Sequence, residues 1–254
     1  MVELRSDPGW VEEQLQEFFE DEGGPLGVGE AVSSGVLEYF EGIFPASTLQ
    51  VWRSVGFDGL AGGRHWITNP LEWAPAVESW LEGVELPFPD QRWWCVTRTP
   101  MGSMRLWGEV SGPALTVKSV LGAFWPNASV QKDRKDPVIW ERSGCVSLLS
   151  STKDSGVCDD VTGRSLVDVG FERFGSLAAD EVFALVPAYC LSGRMEASML
   201  AVEPAVAHVA FLGQSTQPTM RPDMLATFGG EIADLLAAQG VVDPATGKPI
   251  TFNQ

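Results

Sequence analysis

The sequence predicts an α+β fold in which N-terminal helices are followed by an antiparallel β-meander and by a second, smaller α+β unit. Apolar residues recur at helical spacing in roughly the first third of the chain. Aromatic and β-branched residues separated by short turns replace that pattern in residues 92–118. Because the helices precede the strands, the order favours α+β over a doubly wound parallel sheet. With 254 residues, 44% of them apolar, the chain is large enough for a sizeable core.

The first helix is predicted over residues 7–22. Asp7 can cap it, Pro8 suits its first turn, and Gly23 ends it. One face carries an apolar stripe at the spacing i, i+4, i+7, i+8, which consists of Val11, Leu15, Phe18 and Phe19. Acids without any base occupy the other face, so this surface is expected to be exposed and negative.

Shorter elements follow before the meander. Residues 34–41 predict a second helix, and Pro45 opens a third that ends at Gly56. The glycine-dense segment 56–63 then leads into a short strand at 65–68. A further helix is predicted to begin at Asn69, with a proline in its first turn, and to end near residue 83.

The meander is predicted as three strands, at 92–99, 103–110 and 114–118. The polar segment 127–159 is then interpreted as a linker or surface excursion around one possible strand at 138–140. These features divide the chain into residues 1–126, the polar segment 127–159 and a second unit at 160–254.

The second unit is predicted to contain two helices, at 165–174 and 203–213, and a strand at 180–191 that is broken near Pro187. A last helix is predicted over 221–239. The sequence leaves open whether the two units pack as one body.

The charge limits the possible partners. The chain has 17 basic and 34 acidic residues, a net charge of −17, which disfavours nucleic-acid backbones and anionic lipid and attracts basic proteins. Two acidic segments without a base, 12–22 and 72–90, are the candidate partner-binding surface. Their candidate residues are Glu12, Glu13, Glu17, Glu20, Glu72, Glu78, Glu82, Glu85 and Asp90. The alternative for each acid is an ordinary solvated position.

The sequence offers little for catalysis. It contains none of the common phosphate-binding, serine-hydrolase or zinc-protease motifs, and its two histidines and four cysteines have no metal-ligand spacing. The glycines of 56–63 favour a tight turn over a phosphate cradle. We therefore expect no catalytic residues, no cofactor and no metal, and thus no enzyme.

The expected compartment is the cytoplasm. The N-terminus lacks the pattern of a secretory signal, and no apolar run is long enough for a membrane helix. Scattered cysteines in a chain of this size fit a reducing environment better than a disulfide scaffold.

Several motifs together resemble a bacterial family, the GAD-like domain. They are VWRSVGFDG at 51–59, HWITNP at 65–70, RTPMG at 98–102 and LWGE at 106–109. The second unit, with FERFGSL at 171–177, resembles an uncharacterised domain that often accompanies it.

This pairing resembles immunity proteins of type VI secretion systems, which neutralise a cognate DNase toxin. The resemblance implies a basic nuclease domain as partner, with no direct contact to nucleic acid or membrane. Two alternatives remain open at this point. One is a nucleotide- or RNA-linked accessory protein, since the original GAD domain occurs in tRNA-handling enzymes; the other is a regulatory interaction module.

Overall fold

Seven strands of the described chain form one sheet at the centre of the fold. The structure is a computed structural model that describes residues 8–127, 136–150, 154–223 and 238. Its helices are α1 (Pro8–Asp21), α2 (Ser34–Phe40), α3 (Ala46–Val55), α4 (Ala74–Leu81), α5 (Pro137–Leu149), α6 (Leu166–Phe174), α7 (Tyr189–Ser192) and α8 (Ala205–Ser215). Its strands are β1 (Gly59–Leu60), β2 (His65–Ile67), β3 (Trp93–Arg98), β4 (Met104–Gly108), β5 (Gly112–Lys118), β6 (Ala123–Pro126), β7 (Glu181–Leu185), β8 (Leu200–Pro204) and β9 (Thr219–Met220). The α+β class predicted from the sequence is confirmed.

The central sheet follows the strand order β1-β2-β3-β4-β5-β6-β9. Neighbouring strands are antiparallel except β6 and β9, which run parallel. The predicted meander is confirmed as β3, β4 and β5. Its first turn closes where the amide of Thr99 donates to the carbonyl of Ser103 at 2.9 Å. Gly102 within this turn has a φ of 78°, a conformation that favours glycine.

Helices cover both faces of the sheet. Side chains alternate along β3, so Trp93 and Cys95 point to one face while Trp94 and Val96 point to the other. On the first face they pack with residues of α4 and α8, and we call this cluster the α4–α8 core. On the second face they pack with residues of α1, α2, α3 and α5, and we call this cluster the α1–α5 core. The two helical layers explain why every residue of β3 is buried.

The α4–α8 core joins the two predicted units. Trp80 of α4 donates from Nε1 to the carbonyl of Val209 in α8 at 2.9 Å. Gly213 of α8 lies so close to α4 that a Cβ atom there would come within 2.9 Å of the backbone of Ser79 and Trp80. Strand β9 of the second unit also pairs with β6 at the edge of the sheet. Residues from both parts of the chain therefore bury one another.

A third cluster lies beneath the two-stranded sheet that β7 and β8 form. Phe183 of β7 packs edge-on against Phe171 of α6, with ring centroids 5.1 Å apart. The strand predicted at 180–191 is correct only in its first half. It ends at Leu185, two residues before Pro187, and α7 follows.

The strand predicted at 138–140 is wrong, because helix α5 occupies this part of the segment predicted to be a polar linker. Asp136 caps α5 by accepting from the amides of residues 138 and 139. Part of its buried face consists of small residues, and a Cβ at Gly144 would lie 2.5 Å from Oγ1 of Thr48 in α3. Cys145 and Leu148 continue this face into the α1–α5 core. Residues 128–135 and 151–153 lie outside the described part.

The other helix predictions are confirmed for α1, α2, α3, α6 and α8. Helix α4 begins at Ala74, later than predicted, because Asn69 caps a turn by accepting from the amide of Leu71 at 3.2 Å. The helix predicted over 221–239 falls mostly outside the described residues. In the described residues, no helix combines the length and apolar character needed to cross a bilayer.

Candidate functional site

The acidic face of α1 is fully exposed. Val11 and Leu15 anchor the helix in the α1–α5 core, so the opposite side faces solvent. Its acids are exposed without exception; they are Glu12, Glu13, Glu17, Glu20 and Asp21, with Glu22 just beyond the helix. Gln14 and Gln16 donate to Glu17 and Glu20 along the helix, at 3.3 and 2.9 Å. Ion pairs within the described residues involve none of these acids.

A groove of about 350 Å³ runs between α1 and α5. Acidic side chains line one part of it, namely Glu17, Asp21 and Glu22. Apolar side chains line the remainder, among them Phe18, Val146 and Leu149. Val146 is 48% exposed although it is aliphatic. The groove therefore offers both a negative edge and an apolar wall to a partner's side chain.

The second predicted acidic group lies on the opposite side of the sheet. Glu78 is on the outer side of α4, and the remaining acids precede or follow that helix; they are Glu72, Glu82, Glu85 and Asp90, all exposed. Because α4 covers one face of the sheet and α1 the other, the structure does not bring the two acidic groups together. A single flat partner surface can contact only one of them.

A cavity of about 480 Å³ lies between the two halves of the chain. Strand β2, the turn after it and Arg98 at the end of β3 supply one wall. Residues 179–180 and the start of α8 supply the other. Its walls are largely apolar and aromatic, and sequence reasoning did not identify it as a site, because its two walls are distant in the chain.

Arg98 is the unusual group of this cavity, since only 1% of the residue is exposed. Its guanidinium lies over the ring of Trp66 at 4.4 Å and donates to the carbonyls of Ala179 at 2.9 Å and Thr99 at 3.4 Å. Burial lowers the pKa of Arg98 to about 9. In the described residues, no carboxylate forms an ion pair with it.

Residues 13–121 match the family model of the GAD-like domain. This part of the chain is similar to the GAD-like domain. The crystal structure of Atu4351 from Agrobacterium tumefaciens is similar in fold, with a TM-score of 0.68 and 15% sequence identity over 80% of this chain and 89% of that chain. No curated protein sequence matches the chain.

The GFDG motif of the GAD-like domain holds the loop before α2 in place. The carboxylate of Asp58 accepts from the amides of Gly27, Val28 and Gly29 at 2.6 to 3.3 Å, and from that of Gly59 at 2.7 Å. An internal carboxylate thus occupies the backbone amides that a bound phosphate would need. These hydrogen bonds tie the loop before α2 to the start of β1.

The RTPMG motif of the GAD-like domain is held by an acid that sequence reasoning did not single out. Asp154 accepts from Oγ1 of Thr99 and Oγ of Ser103, both at 2.7 Å, and from the amide of Met101 at 3.2 Å. Burial raises the pKa of Asp154, although these hydrogen bonds and the charge of Lys118 oppose the rise. The acid comes from the segment that the sequence suggested was a linker, and it stabilises the first turn of the meander.

The histidines and cysteines do not gather into a site in the described residues. His65 donates from Nε2 to the carbonyl of Leu148 at 2.5 Å, and burial lowers its pKa to about 4. Burial also lowers the pKa of His208. Cys95 and Cys145 are buried, whereas Cys190 is exposed. Within the described part of the chain, no three of the side chains that commonly bind metals lie together.

Proposed function

We propose that this protein is a cytoplasmic immunity protein that neutralises a cognate toxin, a basic nuclease delivered by type VI secretion, and has no catalytic activity of its own. The GAD-like domain supports this proposal through the resemblance of the domain pair to such immunity proteins. The net charge of −17 supports it physically. A nuclease must present a positive surface to DNA, and an acidic protein can occupy that surface instead.

The observation that carries the proposal is the exposed acidic face of α1. Glu12, Glu13, Glu17 and Glu20 span about 12 Å along the helix axis. None of them is neutralised by a base in the described residues, so their field extends into solvent. Such a field speeds the encounter with a positive partner and orients it.

The groove beside α1 supplies a place for an anchor. Lysine and arginine combine an aliphatic stem with a charged end. In this groove the stem would pack on Phe18 and Val146 while the charge reached Glu17 or Asp21. We therefore place the toxin on the side of α1 and α5, and not on the side of α4.

The test uses the nuclease domain encoded beside this protein, co-expressed and purified with it. We expect the protein to protect cells from the nuclease and to form a complex whose dissociation constant rises with salt. The replacement of Glu13, Glu17 and Glu20 by glutamine should weaken binding about tenfold, at about 0.5 kcal/mol for each exposed charge.

A matched control removes three charges on the other side of the sheet, with glutamine at Glu78, Glu82 and Glu85. This variant should bind the nuclease within about twofold of the unmodified protein. Equal weakening by both triple variants would contradict a docking surface on α1. Absence of an adjacent toxin, or failure to protect cells from it, would overturn the proposed function itself.

A further inference from the structure

The cavity between the two halves of the chain contains a buried positive charge, that of Arg98, which forms no ion pair within the described residues. Arg98 is 1% exposed, and its hydrogen bonds go to two main-chain carbonyls, which carry no formal charge. Asp154 and Asp180 act on it through space, but neither is close enough to form an ion pair. The ring of Trp66 provides a cation–π contact, which offsets part of the cost of burial.

A buried cation that forms no ion pair is costly to a fold. Arg98 is one of the residues that line an open space of about 480 Å³. That volume lies in the range of sites that hold small molecules. A guanidinium presents its donors as a planar fork, which matches the two oxygens of a carboxylate.

The other residues that line the cavity indicate the chemistry of the rest of the ligand. Trp66 and Trp73, both buried, line the cavity on one side, and Ala205, Val206 and Ala210 of α8 line it on the other. The exposed acids Glu30, Glu72 and Asp180 also line the cavity. These three exposed carboxylates would repel a phosphate or another multiply charged anion more strongly than a molecule with a single negative charge.

We propose that this cavity binds a small monocarboxylate with an apolar or aromatic body, with the carboxylate on Arg98 and the body against Trp66 and Trp73. The site uses residues of the GAD-like domain and of α8, so it exists only when both halves are folded together. It lies apart from the acidic face of α1 and does not depend on the proposed immunity function.

The test measures binding to the full-length protein of three probes, namely phenylacetate, 4-methylpentanoate and indole-3-acetate, by calorimetry and thermal unfolding at neutral pH. Their primary amides have the same shape without the charge. We expect at least one carboxylate to bind at least tenfold more tightly than its amide and, at ten times its dissociation constant, to raise Tm by about 3–5 °C. Inorganic phosphate should produce no shift.

Two arginine variants test whether Arg98 binds the carboxylate of the ligand. Arg98→Met should lose the preference for carboxylate over amide, whereas Arg105→Met should keep it. Arg105 is a matched control because it is also largely buried and donates to a main-chain carbonyl, that of Ser147 at 2.8 Å, but does not line the cavity. Should Arg98→Met not fold, Arg98→Lys keeps the charge without the planar fork and should weaken carboxylate binding at least fivefold.

Three results would overturn the proposal. One is that none of the three carboxylates binds at concentrations up to about 20 mM. Another is that carboxylates and amides bind equally. The third is that Arg105→Met removes the preference as completely as the change at Arg98.

Discussion

The burial of His65 predicts a specific loss of stability in mild acid. Its imidazole lies in the core with Nε2 bonded to the carbonyl of Leu148, and burial lowers its pKa from 6.5 to about 4, with a smaller contribution from the positive charge of Arg105. In the unfolded chain the same group titrates near its ordinary value. Protons therefore bind the unfolded state more readily, so stability is complete above pH 6.5 and declines as the pH falls towards 4.

The size of this loss of stability follows from how far burial lowers the pKa of His65. A difference of about 2.5 pKa units corresponds to about 3.4 kcal/mol over the whole range, and to about 1.6 kcal/mol between pH 6.5 and 5. The matched variant is His65→Gln, whose amide can still donate to Leu148 but does not titrate. The assay is urea unfolding of both proteins at a series of pH values between 7 and 4.5.

We expect the free energy of unfolding of the unmodified protein to fall by about 1.6 kcal/mol more than that of the variant between pH 6.5 and 5. The numerous carboxylates titrate in both proteins, so their contribution cancels in the difference. Parallel pH profiles for the two proteins would refute the reasoning, because they would mean that His65 is not held neutral in the folded state.

Three further predictions concern single contacts. Asp58→Ala should lower Tm by about 6–12 °C, because four backbone amides lose their acceptor. Gly213→Ala should lower the free energy of unfolding in urea by about 1–3 kcal/mol, because its Cβ would meet the backbone of α4. The control Gly35→Ala has open space around its Cβ and should raise the free energy of unfolding by up to about 1 kcal/mol. With a thiol reagent, Cys190 should react fast in the native protein, and Cys145 should react only on unfolding.

Each of these three predictions has a clear opposite outcome. An unchanged Tm for Asp58→Ala would mean that the loop before α2 is held by other contacts. Equal effects at Gly213 and Gly35 would contradict the close approach of α4 and α8. Burial raises the pKa of Cys145 to about 12, which keeps it in the unreactive thiol form. Rapid labelling of Cys145 in the native state would therefore contradict its burial beneath α1.

The fold was predictable where one side of an element faces apolar surroundings and the other faces water. Val11 and Leu15 of α1 alternate with acids at helical spacing, so both the helix and its buried face follow from the sequence. The meander was predictable because aromatic and β-branched residues fill strands bounded by glycine and proline. Trp93 and Trp94 do point to opposite faces, as the alternation of a strand requires.

Helix α5 was missed for a physical reason. Its buried side carries Gly144, Cys145 and Ser147, which are small enough to approach α3, while aliphatic residues such as Val146 remain exposed. The usual apolar stripe is therefore absent. The available signal was Asp136 followed by proline, a capping pair that marks the start of a helix.

The acids of α1 and of 72–90 were correctly predicted to be exposed, but the sequence could not indicate that they lie on opposite sides of one sheet. The cavity was also hidden, since its walls come from residues about a hundred positions apart. Arg98 ends a strand and resembles any surface arginine until Ala179, distant in the chain, packs against it.

The packing of α8 on α4 constrains how the sequence can change during evolution. A fragment that ended at residue 126 would expose Trp80 and Phe124, which are buried in the intact protein, and would tend to aggregate. Recombination that exchanged only the first half between relatives would bring together surfaces that had not been selected to fit. Changes near Trp80 and Val209 should therefore accumulate in compensating pairs, and the two halves should be transmitted as one piece.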